Sequence, residues 1–205
     1  VSSMLVAEVA APKWGDYCID VCAAPGGKSL HLADKLEGSG FVEARDITES
    51  KVKLMQDNIE RTALINMNAV VADATVFLPA SEEKADILLA DVPCSGLGVI
   101  GRKPDIRYKN PKELAKLPRE ILDTVWKYVK VGGTLVYSTC TIGAEENQYN
   151  LKWFLDNYPF KLESIDPYLP EELQGKTTRA GYLQLLPGIH ESDGFFLARL
   201  KRVSE

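Results

Sequence analysis

Runs with strand character alternate with runs of helix character five times along this chain, and no other feature narrows its fold so far. "YCIDVCA" (Tyr17–Ala23) is followed by the helical spacing of Lys28–Gly38. "GFVEARDI" (Gly40–Ile47) is followed by a helix over Ser50–Leu64, with Thr48 or Ser50 as its cap. "NAVVADA" (Asn68–Ala74) and "ADILLAD" (Ala85–Asp91) give two more strands. A helix over Pro118–Val129 leads to "GTLVYST" (Gly133–Thr139), and another helix follows over Glu145–Tyr158. "FKLESI", "YLQLLP" and "GFFLARLKR" read as late strands. Repeated strand–helix units give a parallel sheet covered on both faces. Ligands of such sheets bind beyond the C-terminal strand ends, where the strand order reverses. The longest stretch without clear secondary structure is Val92–Leu117; a loop of that length is usually functional.

Composition sets outer bounds. The chain has 205 residues, 45% hydrophobic and 26% charged, which suits one domain with a real core. It starts at Val1 in what reads as a helix, so residues 1–205 are expected to be a single domain from a longer or processed protein. No run approaches ~18 apolar residues and no leader pattern is present, so neither a membrane span nor secretion is expected. Cys18 and Cys22 sit four residues apart in one apparent strand. At about 3.3 Å per residue that is roughly 13 Å, too far for a disulfide. With no CxxC and two histidines, His31 and His190, no metal site is expected. The expectation is a reducing compartment, the cytoplasm. The net charge of −5 is uneven. Residues 101–119 hold seven basic residues, among them Arg102, Lys103, Arg107 and Lys109, against Asp105 and Glu113; the segment is +5 and the remainder −10. Such a loop is a candidate phosphate contact, although charge alone does not separate that from a solvated surface.

"DVCAAPGGKS" (Asp20–Ser29) closes the first strand with small residues and two glycines, which let backbone N–H groups approach a ligand. Three nucleotide readings compete. A dinucleotide fold wants GxGxxG, which is absent. A P-loop wants GxxxxGK[ST]; Cys22 stands where its first glycine belongs, one residue short of a match, so a P-loop ATPase is the rival enzyme. S-adenosylmethionine accounts for more residues. Asp46 can accept from ribose hydroxyls and Asp73 from an adenine amine, and with Asp91 they make three carboxylates at consecutive strand ends. A triphosphate would be repelled by that set; a sulfonium would not.

Two thiols also stand at strand ends: Cys94 in "ADVPCSGLGVIGRKPDIRY" and Cys140 in "LVYSTCTIGAEEN". If strands four and five pair, about 4.8 Å apart, both face one pocket beside Asp91. Methylation at carbon 5 of a pyrimidine wants this set. A thiolate adds at carbon 6, a carboxyl group steadies the charge that develops, and a base later takes the carbon-5 proton. Cys140 precedes a helix expected to open near Ala144, and Thr139 and Thr141 are placed to donate to its thiolate; both would lower its pKa. Glu145 and Glu146 suit the same helix end and would oppose it.

These blocks, with "LLPGIHESDGFFLARLKR", resemble the signature segments of the NOL1/NOP2/Sun RNA 5-methylcytosine methyltransferases, in order and across nearly the whole chain. The "GVIGRKPDIRY" stretch resembles most the bacterial 16S ribosomal RNA methyltransferase B (Sun) branch. The resemblance implies a Rossmann-like, S-adenosylmethionine-dependent fold of seven mostly parallel strands with the last antiparallel. It implies transfer of a methyl group to carbon 5 of an RNA cytosine, in small-subunit ribosomal RNA or else another ribosomal or transfer RNA, with S-adenosylhomocysteine as product. Position by position it makes Cys140 the nucleophile, Cys94 the thiol linked to product release, and Asp91 a neighbour of both base and cofactor. It places Cys22, Ala23, Ala24, Pro25, Gly26, Gly27, Lys28, Asp46, Asp73 and Asp91 at the cofactor, and leaves the part played by Lys28 open. The N-terminal RNA-binding portion of that family has no counterpart here. His31, His190, Trp126, Trp153, Phe195 and Phe196 read as structural. A non-enzymatic RNA-binding module with a vestigial site is the other alternative, and the two intact thiols speak against it.

Overall fold

A computed structural model describes residues 3–99 and 116–204. A short helix α1 (Met4–Ala10) precedes β1 (Tyr17–Asp20), α2 (Gly27–Lys35), β2 (Phe41–Asp46), α3 (Glu49–Thr62), β3 (Met67–Val71) and β4 (Ala85–Asp91). Then come α4 (Lys116–Val125), β5 (Val129–Thr139), α5 (Gln148–Asn157), β6 (Phe160–Leu162), α6 (Lys176–Ala180), β7 (Tyr182–Leu185) and β8 (Phe195–Arg202). The strands form one sheet in the order β3-β2-β1-β4-β5-β8-β6, with β7 also on β8. The ladders β3–β2–β1–β4–β5 are parallel. β8 is antiparallel to β5, β6 and β7 alike, so the last strand alone runs against the rest. The expected mostly parallel sheet with a reversed last strand is therefore present. Its seventh position is shared: β7 pairs with Phe195–Ala198 and β6 with Leu200–Arg202, along one edge of β8.

Two apolar layers explain why the strands read as nearly continuous hydrophobic runs. Successive side chains point to opposite faces. Cys18, Ile87 and Leu89 join one core with Val6 and Val9 of α1, Leu32 of α2 and Met55 of α3. Ile19, Leu88 and Ala90 join the other with Ile121, Leu122 and Val125 of α4 and Phe154 of α5. Fully burying one such Leu or Ile contributes about 1.5–3 kcal/mol. α3 starts where expected: the Thr48 hydroxyl accepts from the Lys51 N–H, capping its first turn.

Among the boundaries that differ from the sequence reading, three matter for the site. β1 stops at Asp20, so Cys22 lies in the turn and not in a strand with Cys18. The reason is that the Ala23 N–H turns to the Arg45 carbonyl and the Ala24 N–H to the Asp46 carboxylate. β3 ends at Val71, so Asp73 sits two residues past it. α5 opens at Gln148, not near Ala144, because Asn147 is bonded to the neighbouring loops.

Candidate active site

The strand order reverses between β1 and β4, and a cleft of about 650 Å³ opens over the C-terminal strand ends there. Its walls include Cys22, Ala24, Asp46, Asp73, Asp91, Cys94 and Cys140, so one cavity gathers residues spread over most of the chain. Leu117, Glu120 and Ile121 of α4 complete it.

The turn after β1 is built on Asp20. This carboxylate is fully buried, accepts the Ser29 hydroxyl at 2.5 Å and faces the Cys22 N–H. Burial raises its pKa to about 7. Gly26 opens α2 at φ 102°, a left-handed conformation that favours glycine. Four of the loop's N–H groups are already spent on protein acceptors. Cys22, Ala23, Ala24 and Gly26 donate to Asp20, the Arg45 carbonyl, Asp46 and the Ala23 carbonyl. A P-loop needs such groups turned toward phosphate, and Lys28 is turned instead to Asp91, so the triphosphate reading does not fit. A cationic donor fits the remaining set. Asp46 keeps an ion pair with Lys51 at 2.9 Å, Asp73 uses one oxygen for both bonds from Thr75, and both carboxylates line the cleft beside Asp91. The Thr75 bonds hold the Asp73 pKa low.

The two thiols meet on the far side. β4 pairs with β5 up to Asp91 and Ser138, and just beyond it Cys94 Sγ lies 3.1 Å from Cys140 Sγ. Both side chains are part-buried and free. Asp91 is held from two sides, by Lys28 Nζ at 2.6 Å and by the Ser138 hydroxyl at 2.7 Å. The pair is asymmetric. The hydrogen bond from Cys94 lowers the Cys140 pKa, and Lys28 adds to this; burial and the Asp91 charge oppose it. Cys94, as the donor, is pushed up by that same bond and by burial. Of the two, Cys140 is the thiol whose ionised form its surroundings favour.

The helix terminus is not the cause, as the sequence had suggested. α5 begins eight residues after Cys140. Neither flanking threonine serves the sulfur: the Thr139 hydroxyl donates to Asn147, and Thr141 Oγ1 lies 2.7 Å from Ser95 Oγ. Glu146 is not an exposed first-turn residue either, but fully buried against Ser95. Sequence reading missed Ser138, Lys51 and the Ser95–Glu146 contact. Their signals, a serine inside a strand and a glutamate in a loop, are too common to single out. Arg102, Lys103, Arg107 and Lys109 lie outside the described residues. His31 contacts Glu8 at 3.3 Å, and His190 Nδ1 accepts the Leu186 N–H. Among the described residues no group of three His, Cys, Asp or Glu is arranged to hold a metal ion.

A doubly covered parallel sheet with a reversed last strand, and a carboxylate-lined cleft at its switch point, define the fold of S-adenosylmethionine-dependent methyltransferases, whose methyl donor this class of cleft accommodates. The pattern of the family described as 16S rRNA methyltransferase RsmB/F matches residues 7–201, and the chain belongs to that family. It is 41% identical to the probable ribosomal RNA small subunit methyltransferase B of Bacillus subtilis, over 98% of this chain and 46% of that protein. It is 38% identical to the ribosomal RNA small subunit methyltransferase F of Cronobacter sakazakii, over 91% of this chain and 40% of that protein. The crystal structure of NSun6 from Pyrococcus horikoshii with SFG superposes with a TM-score of 0.84 at 32% identity, covering 100% of this chain and 52% of that one. The chain thus spans less than half the length of these two bacterial relatives.

Proposed function

We propose that this chain is the catalytic domain of an enzyme that methylates carbon 5 of a cytosine in RNA, through a transient bond between Cys140 Sγ and carbon 6 of the base. The observation that carries this reading is the thiol pair, 3.1 Å apart, in one cleft with Cys22 and Ala24 of the turn after β1 and with Asp91. When bound, S-adenosylmethionine supplies an electrophilic methyl group on a cationic sulfur; Asp46, Asp73 and the turn at Cys22–Gly27 would hold it. The substrate class is small-subunit ribosomal RNA, in keeping with the names of the B and F relatives, and the setting is the cytoplasm. The basic residues of 102–109 are its proposed phosphate contacts, together with exposed Lys116 at the mouth of α4.

The residues divide the work. The Cys140 thiolate adds to carbon 6, which makes carbon 5 electron-rich. Asp91, steadied by Lys28 and Ser138, takes the polar edge of the base. Cys94 begins as a thiol because it donates to Cys140. Once Cys140 is bonded to carbon 6 that donation ends and the main cause of the raised Cys94 pKa disappears; Cys94 then gives its proton to solvent and, as thiolate, takes the proton from carbon 5. As that proton leaves, its electron pair restores the ring double bond, and the carbon–sulfur bond breaks to return Cys140 as thiolate.

Cys140→Ala is expected to abolish methylation and every covalent protein–RNA species. Cys94→Ala is expected to leave protein trapped on RNA, seen as a shifted band on denaturing gels. An adduct that persists unchanged in Cys140→Ala would refute the assignment.

A further inference from the structure

The β4–β5 ladder does not by itself set the distance between the thiols. Its last pair is Asp91 and Ser138, with one further bond from the Val92 N–H to the Ser138 carbonyl. Cys94 and Cys140 lie past it on separate loops. What joins the loops is a polar chain beside the sulfurs. Glu146 accepts the Ser95 N–H at 2.7 Å through one oxygen and the Ser95 hydroxyl at 2.5 Å through the other. Ser95 has a single hydroxyl proton. With that proton committed to Glu146, the 2.7 Å contact between Ser95 Oγ and Thr141 Oγ1 must be donated by Thr141. Thr141 Oγ1 in turn accepts the Gly143 N–H at 3.2 Å. The order of donors is thus fixed from Gly143 through Thr141 and Ser95 to the carboxylate.

Glu146 is fully buried, and among the described residues no lysine or arginine pairs with it. A buried carboxylate is costly unless its hydrogen bonds are made, so packing alone does not account for one here. Its grip falls on one loop only. The Cys140 loop has its own holds, since it continues β5 and Asn147 donates to the Thr141 carbonyl at 3.0 Å; farther along, the two loops also meet where the Cys140 carbonyl accepts the Gly98 N–H at 3.1 Å. Gly98 packs so closely there that a Cβ would stand 2.8 Å from that carbonyl. Apart from the thiol contact and the backbone groups of Gly96 and Cys140 at the Cys94 sulfur, the described side-chain bonds at Pro93–Ser95 run through Ser95 to Glu146 and Thr141.

We propose that Glu146 is a positioning residue for Cys94: it fixes the turn at Pro93–Ser95 so that the second thiol stays against the first and against the bound base. The inference rests on the covalent mechanism above and assigns the carboxylate to the release step rather than to carbon-6 addition.

The test uses the full chain with S-adenosylmethionine and two RNA probes, a small-subunit transcript with ordinary cytosine and one with 5-fluorocytosine. Fluorine at carbon 5 blocks release, so the second probe reports addition alone. Glu146→Ala is expected to lower turnover about 10²-fold, the scale of a small misplacement of a reacting group. It is expected to keep most of the fluorocytosine adduct and to accumulate an adduct on ordinary RNA that the wild type does not show. KM for S-adenosylmethionine should not change. Glu146→Gln should recover most of the turnover, because its carbonyl can accept the Ser95 N–H while its amide donates to Ser95 Oγ. Ser95→Ala, which keeps the backbone donor and disturbs the core less, should show a smaller accumulation of the same sign. A fluorocytosine adduct that falls in step with turnover in both Glu146→Ala and Ser95→Ala would mean general loosening and overturn the inference; so would a Glu146→Gln enzyme as inactive as the alanine variant. If the wild type itself forms no fluorocytosine adduct, the covalent mechanism fails first and the inference falls with it.

Discussion

The four cysteines form two pairs that share chemistry and differ in neighbours. Cys18 is sealed in the core of β1, and burial pushes its pKa up. Cys22 borders the cleft, yet burial and the carboxylates of Asp20, Asp46 and Asp91 push it up as well. Cys140 is also part-buried and also near Asp91, and its pKa moves the other way. The difference is hydrogen-bond donation to the sulfur, above all from the Cys94 thiol at 3.1 Å, with the Cys140 N–H and Lys28 adding smaller effects. Access to a cleft therefore does not make a thiol reactive here. A hydrogen-bond donor to the charged form does.

That contrast can be broken in graded steps. The largest effect is expected from Lys28→Met, which removes the cation and leaves Asp91 uncompensated beside the thiols. Methylation should fall about 10²-fold or more, as for loss of one preorganised electrostatic partner. Cofactor binding measured by calorimetry should weaken far less. Equal losses in both would place Lys28 on the cofactor alone.

A middle effect is expected for Cys94→Ala read by alkylation. With the donor gone, the midpoint of Cys140 carboxymethylation against pH should move up, toward the ordinary thiol value of about 8.5. Its rate at neutral pH should fall, because less of the sulfur is then thiolate. Cys18 and Cys22 should stay slow in both proteins. A midpoint that does not move would show that Cys94 is not what lowers Cys140.

The smallest effect concerns the turn that carries Cys22. Asp20 has an unfolded pKa of about 3.9 and a folded value raised to about 7. Between those values the folded chain holds more protons than the unfolded one. Stability from this group is thus complete below about pH 4 and is lost as pH rises through about 7. Asp20→Asn should flatten that part of the pH–stability curve in urea titrations while leaving Cys140 alkylation unchanged. A slope that survives the substitution would locate the titrating group elsewhere.

The residue pattern alone carried the parallel sheet, the reversed last strand, the strand-end carboxylates and both thiols, because each leaves a local trace. Strands covered on both faces read as apolar runs, glycine marks a positive φ such as that at Gly26, and strand ends collect the residues that face a switch point. The strands' own register, Asp91 opposite Ser138, put the loops that carry Cys94 and Cys140 side by side as expected, without setting the distance between the two sulfurs. What the sequence could not carry was the cause of the reactivity. It pointed to a helix N-terminus and two threonines, whereas the helix starts later and the threonines are bonded to Asn147 and Ser95. Those partners lie up to 46 residues apart in the chain. A pKa depends on distances of a few ångströms between such residues, and only the folded chain sets them. Local spacing determines which elements form and which side chains stand at their ends; the choice of donor, acceptor and counter-charge for each of those side chains belongs to tertiary packing.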